Sequence, residues 1–292
     1  MLKILVTGAT GNVGAEVIRL LQQQNCHVVA AVRNPDKAQQ ILGNNIDCVP
    51  FDFTNSNTFT SAFLGVNKLF LVRPPALANL SKDIAPALQA AIAAGVEHIV
   101  FLSILGAERN KVVPHSQIER YINELGIKFT FLRASFFMQN LNTTHREDIK
   151  NGQLFLPAGN GKTSFIDVRD IAAVAVRALI EDGHSNRAYP LTGNEALTYY
   201  EVADIFTSVL GKQIRYTNPS LLKFIWVMRY HRRWLPRASR GLKIDFVLIM
   251  AAIYTTARLG LAGAVTPDTE QLLGRPPLTI RQYVEDYRQF WL

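Results

Sequence analysis

Cysteine is almost missing from this chain. Its 292 residues contain two, Cys26 and Cys48. Two thiols make neither a disulfide framework nor a cysteine-based zinc site, and no other metal site is suggested. A reducing, cytoplasmic setting is the simpler expectation. Long apolar runs are scarce too. The start, MLKILVTGAT, has no extended apolar core before its first glycine and makes a poor signal peptide. The stretch nearest to a membrane span, 246–257, holds twelve residues between Asp245 and Arg258. A span needs about 20, so a buried helix is expected there. Acidic residues are absent from Ile205 to Ile244, where nine lysines and arginines fall. That segment accounts for the net charge of +8, and the rest of the chain is close to neutral. The global charge therefore does not argue for a nucleic-acid partner, and no recognition module for one is apparent. Within 221–243, Trp226, Met228, Tyr230 and Trp234 lie among the basic residues. This composition suits contact with an anionic membrane surface, and equally a solvated face with some core aromatics.

What is present is an alternation. Continuous apolar runs at 2–7, 27–32, 47–51, 68–72, 98–103 and 128–133 are separated by segments with helical periodicity. Strands that are apolar throughout, with amphipathic helices between them, predict a parallel sheet covered on both faces, the doubly wound α/β class. The second half is less regular. Short strands at 152–156, 163–166 and 189–191 and helices at 168–181 and 198–210 precede a mostly helical end. The expected organisation is a nucleotide-binding domain over 1–155, completed by 163–192, and a smaller, mainly helical substrate or lid domain over 193–292.

In such sheets ligands bind beyond the carboxyl ends of the strands. After the first strand comes Gly8-Ala-Thr10-Gly11-Asn12-Val13-Gly14, opening the first helix. Glycines there permit a tight turn and let backbone N–H groups approach a pyrophosphate at a helix N-terminus. Where an NAD-binding unit often has an acidic residue for the ribose 2′-OH, this chain has Arg33, 19 residues after Gly14. Arginine pairs with a 2′-phosphate, so NADP(H) is expected over NAD(H), with Lys37 assisting. Asp52 and Phe53 follow the third strand as adenine contacts, although Asp52 could equally cap the next helix. Val72, Arg73 and Pro74 follow the fourth, on the ribose or diphosphate side.

The segments TGATGNVG, VRNP, FLSILGA, LRASFFMQNL, SFIDVRDIA and the terminal LLGRPPLTIRQYVEDY resemble the NmrA-like family of atypical short-chain dehydrogenases/reductases. The likeness runs nearly end to end. It implies a Rossmann-like domain, a smaller C-terminal substrate domain and NADP(H) binding. Family members include quinone and triphenylmethane reductases, and also redox sensors that bind NADP(H) without turnover. Typical short-chain dehydrogenases carry Tyr-x-x-x-Lys. None of the nine tyrosines here has Lys four residues later. The strand-end serine is present as Ser103, and His115 and Glu119 stand at i, i+4 on the helix that should hold the pair. His115 and Ser103 are the candidate catalytic residues. Phe136, Phe137 and Asn140, after the sixth strand, are candidates for a flat apolar acceptor. The expected function is reduction of a small apolar molecule such as a quinone by hydride transfer. A non-catalytic NADP(H) sensor, an epimerase or dehydratase, and a membrane-surface reductase remain as alternatives, and a homodimer is compatible with the sequence.

Overall fold

The computed structural model describes residues 1–231 and 244–292. In chain order the elements begin β1 (Lys3–Val6), α1 (Asn12–Leu21), β2 (His27–Val32), α2 (Pro35–Leu42), β3 (Asp47–Pro50), α3 (Phe59–Phe63), β4 (Lys68–Leu71), α4 (Ala85–Ala93), β5 (His98–Ile104), α5 (Pro114–Glu124) and β6 (Lys128–Ala134). They continue β7 (Phe136–Phe137), α6 (Arg146–Lys150), β8 (Gln153–Leu154), β9 (Lys162–Ile166), α7 (Val168–Ile180), β10 (Arg187–Leu191), β11 (Ala196–Thr198), α8 (Tyr199–Leu210), β12 (Arg215–Tyr216), α9 (Leu221–Trp226), α10 (Ile244–Arg258), α11 (Asp268–Leu273) and α12 (Ile280–Asp286). The expected contact segment 221–243 is described only as far as residue 231; Arg232, Arg233, Trp234, Arg237, Arg240 and Lys243 lie outside the described residues.

Two compact units are present. The first comprises 1–134, 168–191 and 271–274. Its seven strands form one parallel sheet in the order β10-β6-β5-β4-β1-β2-β3, a Rossmann-like arrangement. The two-residue period of a strand divides the side chains between the faces. Leu5, Val29, Ala31, Leu69, Leu71, Ile99 and Phe101 join Leu88, Ile118 and Ile122 of α4 and α5 in one buried cluster. On the other face α1 packs against α7, through the buried stripe Val13, Val17, Ile18 and Leu21. Each fully buried side chain of this size contributes ~1.5–3 kcal/mol. Chain order reverses between β1 and β4, so the loops that follow them lead to opposite sides and leave a crevice beyond the strand ends, the usual ligand position in such sheets.

The helical segment between β4 and β5 is split. Residues 80–84 form a π turn, with the Ala85 amide bonded to Leu80 O, and α4 follows. Pro86 has no amide to continue the regular pattern at the junction, which favours the slip.

The second unit comprises 135–167, 192–270 and 275–292. Residues 135–155 and 163–167, expected with the first domain, therefore group with the second. The cause is β7: directly after β6 the chain leaves the large sheet and pairs Phe136 and Phe137 with Phe165 and Ile166 of β9, which also pairs antiparallel with β11. A parallel pair, β8 and β12, completes the strands. Helix α8 starts in a capping box between Thr198 and Glu201, stops at left-handed Gly211, and packs on α12. Phe206, Phe224, Tyr283 and Trp291 fill the core of this unit. The apolar stretch 246–257 is helical, within α10, but its burial is one-sided. Val247, Met250, Ala251, Tyr254 and Ala257 are buried, whereas Leu248, Ile249 and Ile253 are exposed. Three- and four-residue spacing makes one inward face, and apolar residues on the outer face hide that period in the sequence.

Candidate functional site

In the first unit a crevice of about 700 Å³ opens beyond the carboxyl ends of β1, β2, β3 and β4. This lies within the ~300–1,000 Å³ usual for small-molecule and cofactor sites. Four loops line it: the glycine turn, Val32–Lys37, Phe51–Thr54 and Val72–Leu77. Gly8 has φ +61°, and a Cβ there would stand 2.8 Å from Val72 Cβ. Only glycine leaves the cradle open. Thr7, not expected from the sequence, fixes the floor: its hydroxyl accepts from Val72 N at 2.7 Å and donates to Phe70 O at 3.2 Å, joining the ends of β1 and β4.

Of the residues expected at the cofactor, Gly8, Thr10, Gly11, Arg33, Lys37, Asp52, Phe53, Val72, Arg73 and Pro74 line the crevice. Asn12, Val13 and Gly14 do not. Val13 is buried in the core. A Cβ on Gly14 would come within 2.3 Å of Gly8 O, so this glycine seats α1 against the turn. These three belong to the first turn of α1, whose N-cap Gly11 offers no side chain to its amides. Such an uncapped helix start favours an anion.

The charged side chains differ in availability. Arg33 is exposed at the rim and makes no hydrogen bond or ion pair among the described residues. Asp52 accepts from the amide and hydroxyl of Thr54, at 2.9 and 2.7 Å. These bonds, with the charge of Arg33, hold its carboxyl below the usual range. The following turn is capped by Asn55 instead, which removes the capping reading of Asp52. Arg73 donates to the carbonyls of Pro74, Pro75 and Leu77 at 3.0, 3.1 and 2.9 Å, pinning the loop that forms one wall. Its Nε is buried without a partner. An open glycine cradle, an uncommitted arginine at the rim and an orphaned guanidinium nitrogen in the wall fit an extended anionic nucleotide.

Ser103 and His115 are placed otherwise. Ser103 is buried and donates to Glu119 Oε1 at 2.5 Å. Glu119, also buried, accepts from Arg133 at 2.7 and 3.1 Å, and Arg133 reaches Glu108 at 3.4 Å. The Glu119 bond raises the Arg133 pKa. The strand-end hydroxyl is thus held in a structural ion-pair network. His115 stacks on Phe101, with ring centroids 6.0 Å apart. Burial, then the charge of Arg73, push its imidazole down to about 4, so it is neutral at pH 7.

The second unit has its own cavity, of about 170 Å³. Phe136, Phe137 and Asn140 line it, and so do His145, Tyr199, Met250 and Tyr254, which sequence reasoning missed. His145 Nε2 and Tyr254 Oη are 2.5 Å apart, and His145 Nδ1 lies 3.6 Å from Asp148 Oδ2. Histidine and aspartate are almost fully buried. The i, i+3 spacing of His145 and Asp148 was a weak signal, and Tyr254 was hidden in the apolar stretch. Among the described residues no group of three or more His, Cys, Asp or Glu could hold a metal, and no helix is long and apolar enough to cross a membrane.

Comparison with known proteins places the chain. The NmrA-like family profile matches residues 2–229. An NAD(P)H azoreductase of Xenophilus azovorans is 33% identical over 289 residues, 97% of this chain and 96% of its own. The crystal structure of an NADPH-dependent quinone oxidoreductase of Escherichia coli complexed with NADPH matches with a TM-score of 0.85 and 30% identity, over 97% of this chain and 99% of that one. Triphenylmethane reductase of a Citrobacter species complexed with NADP(H) matches with a TM-score of 0.83 and 28% identity, over 97% and 99%.

Proposed function

The chain belongs to the NmrA-like family, and on that premise we propose that it is an NAD(P)H-dependent oxidoreductase of the quinone and dye reductase type. It prefers NADP(H) and reduces a small, flat, apolar acceptor such as a quinone. The observation that carries this reading is the crevice of the first unit, with its open glycine turn and unengaged Arg33.

Each residue then has a task. The turn at Gly8–Gly11 and the amides opening α1 receive the pyrophosphate. Arg33 reads the 2′-phosphate, with Lys37 adding positive charge on the same side. Asp52 and Phe53 border the adenine. Arg73 keeps the loop at Val72–Leu77 in shape and offers Nε inward. The bound dihydronicotinamide supplies the hydride. Phe136, Phe137 and Asn140 border the cavity that receives the acceptor, where aromatic faces stabilise a planar ring and exclude water. Ser103 is assigned to the Glu119–Arg133 network. His115 is neutral and does not carry the imidazolium proton.

The test is NADPH oxidation by the purified protein against a panel of quinones, with NADPH binding measured on the same preparation. Turnover above the protein-free background supports the reading. The capture of Ser103 by Glu119 and the missing Tyr-x-x-x-Lys favour a second reading, a binding protein that senses NADP(H). Saturable binding without turnover of any acceptor would support it.

A further inference from the structure

We propose that the outer side of α9 and α10, within the second unit, is a docking surface for an anionic membrane. A surface helix normally turns its apolar stripe inward and its charged residues outward, and a helix that is apolar all round is normally buried all round. Helix α10 does neither. From Phe246 to Ala257 it has no charged residue. Its inner side is packed, yet Leu248, Ile249, Ala252 and Ile253 stand exposed on the other.

Helix α9 repeats the arrangement. Phe224 is fully buried, and its ring meets that of Tyr254 in α10 with centroids 5.8 Å apart, so the two helices rest on one core. Leu222 and Trp226 lie two positions to either side of Phe224, about 200° round the helix from it. They are 81% and 53% exposed. Nine of the sixteen large apolar side chains exposed among the described residues fall between Leu221 and Val265. Ile249 and Ile253 also border the cavity of this unit, which accounts for part of their exposure; Leu222, Trp226 and Leu248 do not border it. Single exposed apolar residues are ordinary, but a group of them gathered on neighbouring helices marks an interaction surface.

Charge names the partner. Residues 205–231 and 246–267 carry five lysines and arginines and no carboxylate, and Asp245 is the single acidic residue from Ile205 to Pro267. Lys223 and Arg229, three positions before and after Trp226, are both exposed. A second copy of this face would bring like charges together. An anionic bilayer meets both features: the leucine, isoleucine and tryptophan side chains enter the headgroup boundary, and the cations lie against lipid phosphates. With 15 residues, α10 is shorter than the ~20 that a span needs, so it lies along the surface.

The test is sedimentation of the purified protein with vesicles of phosphatidylcholine alone and of phosphatidylcholine mixed with phosphatidylglycerol, at low and moderate salt. The wild type should bind the anionic vesicles, keep measurable binding at moderate salt, and stay off the neutral ones. Lys223→Gln should weaken binding roughly fivefold, the worth of one cation at an anionic surface. Leu222→Gln combined with Leu248→Gln should weaken it roughly tenfold or more at both salts, because apolar side chains no longer enter the boundary. All three positions are exposed, so the variants should keep the fold, and equal thermal midpoints check this. Binding at low salt only, indifferent to Leu222 and Leu248, is adsorption of a basic protein and overturns the proposal. Equal binding to neutral vesicles overturns it, as does no binding at either salt. Dimerisation that the two leucine changes abolish, without vesicle binding, would assign the face to a second copy of the chain and overturn it too.

Discussion

Replacing Arg33 by alanine tests the cofactor assignment at its most specific point. The side chain is exposed at the crevice rim and holds no partner among the described residues, so its removal orphans no buried group. Stability should stay within ~0.5 kcal/mol of the parent. Binding should not. A hydrogen bond to a charged group is worth ~1.5–3 kcal/mol, and exposure at the rim reduces this toward ~1–2 kcal/mol. At 1.4 kcal/mol per decade, the Kd for NADPH should rise by roughly 5- to 30-fold. NADH lacks the 2′-phosphate, and its Kd should hardly move. Titration of both nucleotides by fluorescence, at low and moderate salt, measures the ratio directly. The wild-type preference should itself shrink with added salt, because an exposed pair is screened. Asp52→Asn should act in the opposite sense, since a carboxylate held ionised by Thr54 sits on the same rim and repels the phosphate. Equal weakening of NADPH and NADH by Arg33→Ala would mean that the residue shapes the loop. No change in either would mean a solvated arginine, and both results refute the assignment.

Three further outcomes follow from the packing. Gly14→Ala would force a methyl to within 2.3 Å of Gly8 O, and should cost ~1–3 kcal/mol, seen as a lower thermal midpoint together with weaker binding of both nucleotides. Glu119→Gln leaves the Arg133 charge poorly matched and should cost ~1–3 kcal/mol in denaturant unfolding while kcat per folded molecule is kept; a large loss of kcat at unchanged stability would return Ser103 and Glu119 to the chemistry. His115→Phe should flatten the acid side of the stability profile. Folding lowers this imidazole from 6.5 to about 4, so between those values the unfolded chain binds a proton that the folded one refuses. Stability therefore falls as pH drops through that window, by up to about 3 kcal/mol, and the effect vanishes above pH 6.5. Parallel wild-type and variant curves from pH 7 to 4 would refute the assignment.

The parallel sheet was legible because its central strands are apolar runs, at 4–6, 28–32 and 99–102, and α1 carries an amphipathic stripe of Val13, Val17, Ile18 and Leu21. The crevice was legible because its parts follow strand ends at known offsets. Asn12, Val13 and Gly14 do not line the crevice themselves; there the motif marks how α1 seats on the turn, and what these residues offer a ligand is their backbone amides. The unit boundary was misplaced because β7 is two residues long, below any periodicity, and its pairing with β9 is non-local. The one-sided burial of α10 was missed because apolar residues also occupy its exposed face.

The harder loss was the polar set in the second unit. His145 and Tyr254 are 109 positions apart, and nothing local to either marks it as a partner of the other. A fingerprint search asks whether Tyr and Lys share a helix at fixed spacing, and here the answer is negative. In the first unit the serine, the carboxylate and the arginine satisfy one another, so the position where the fingerprint is expected has become structural. In the second unit a tyrosine, a histidine and an aspartate stand together at an apolar cavity.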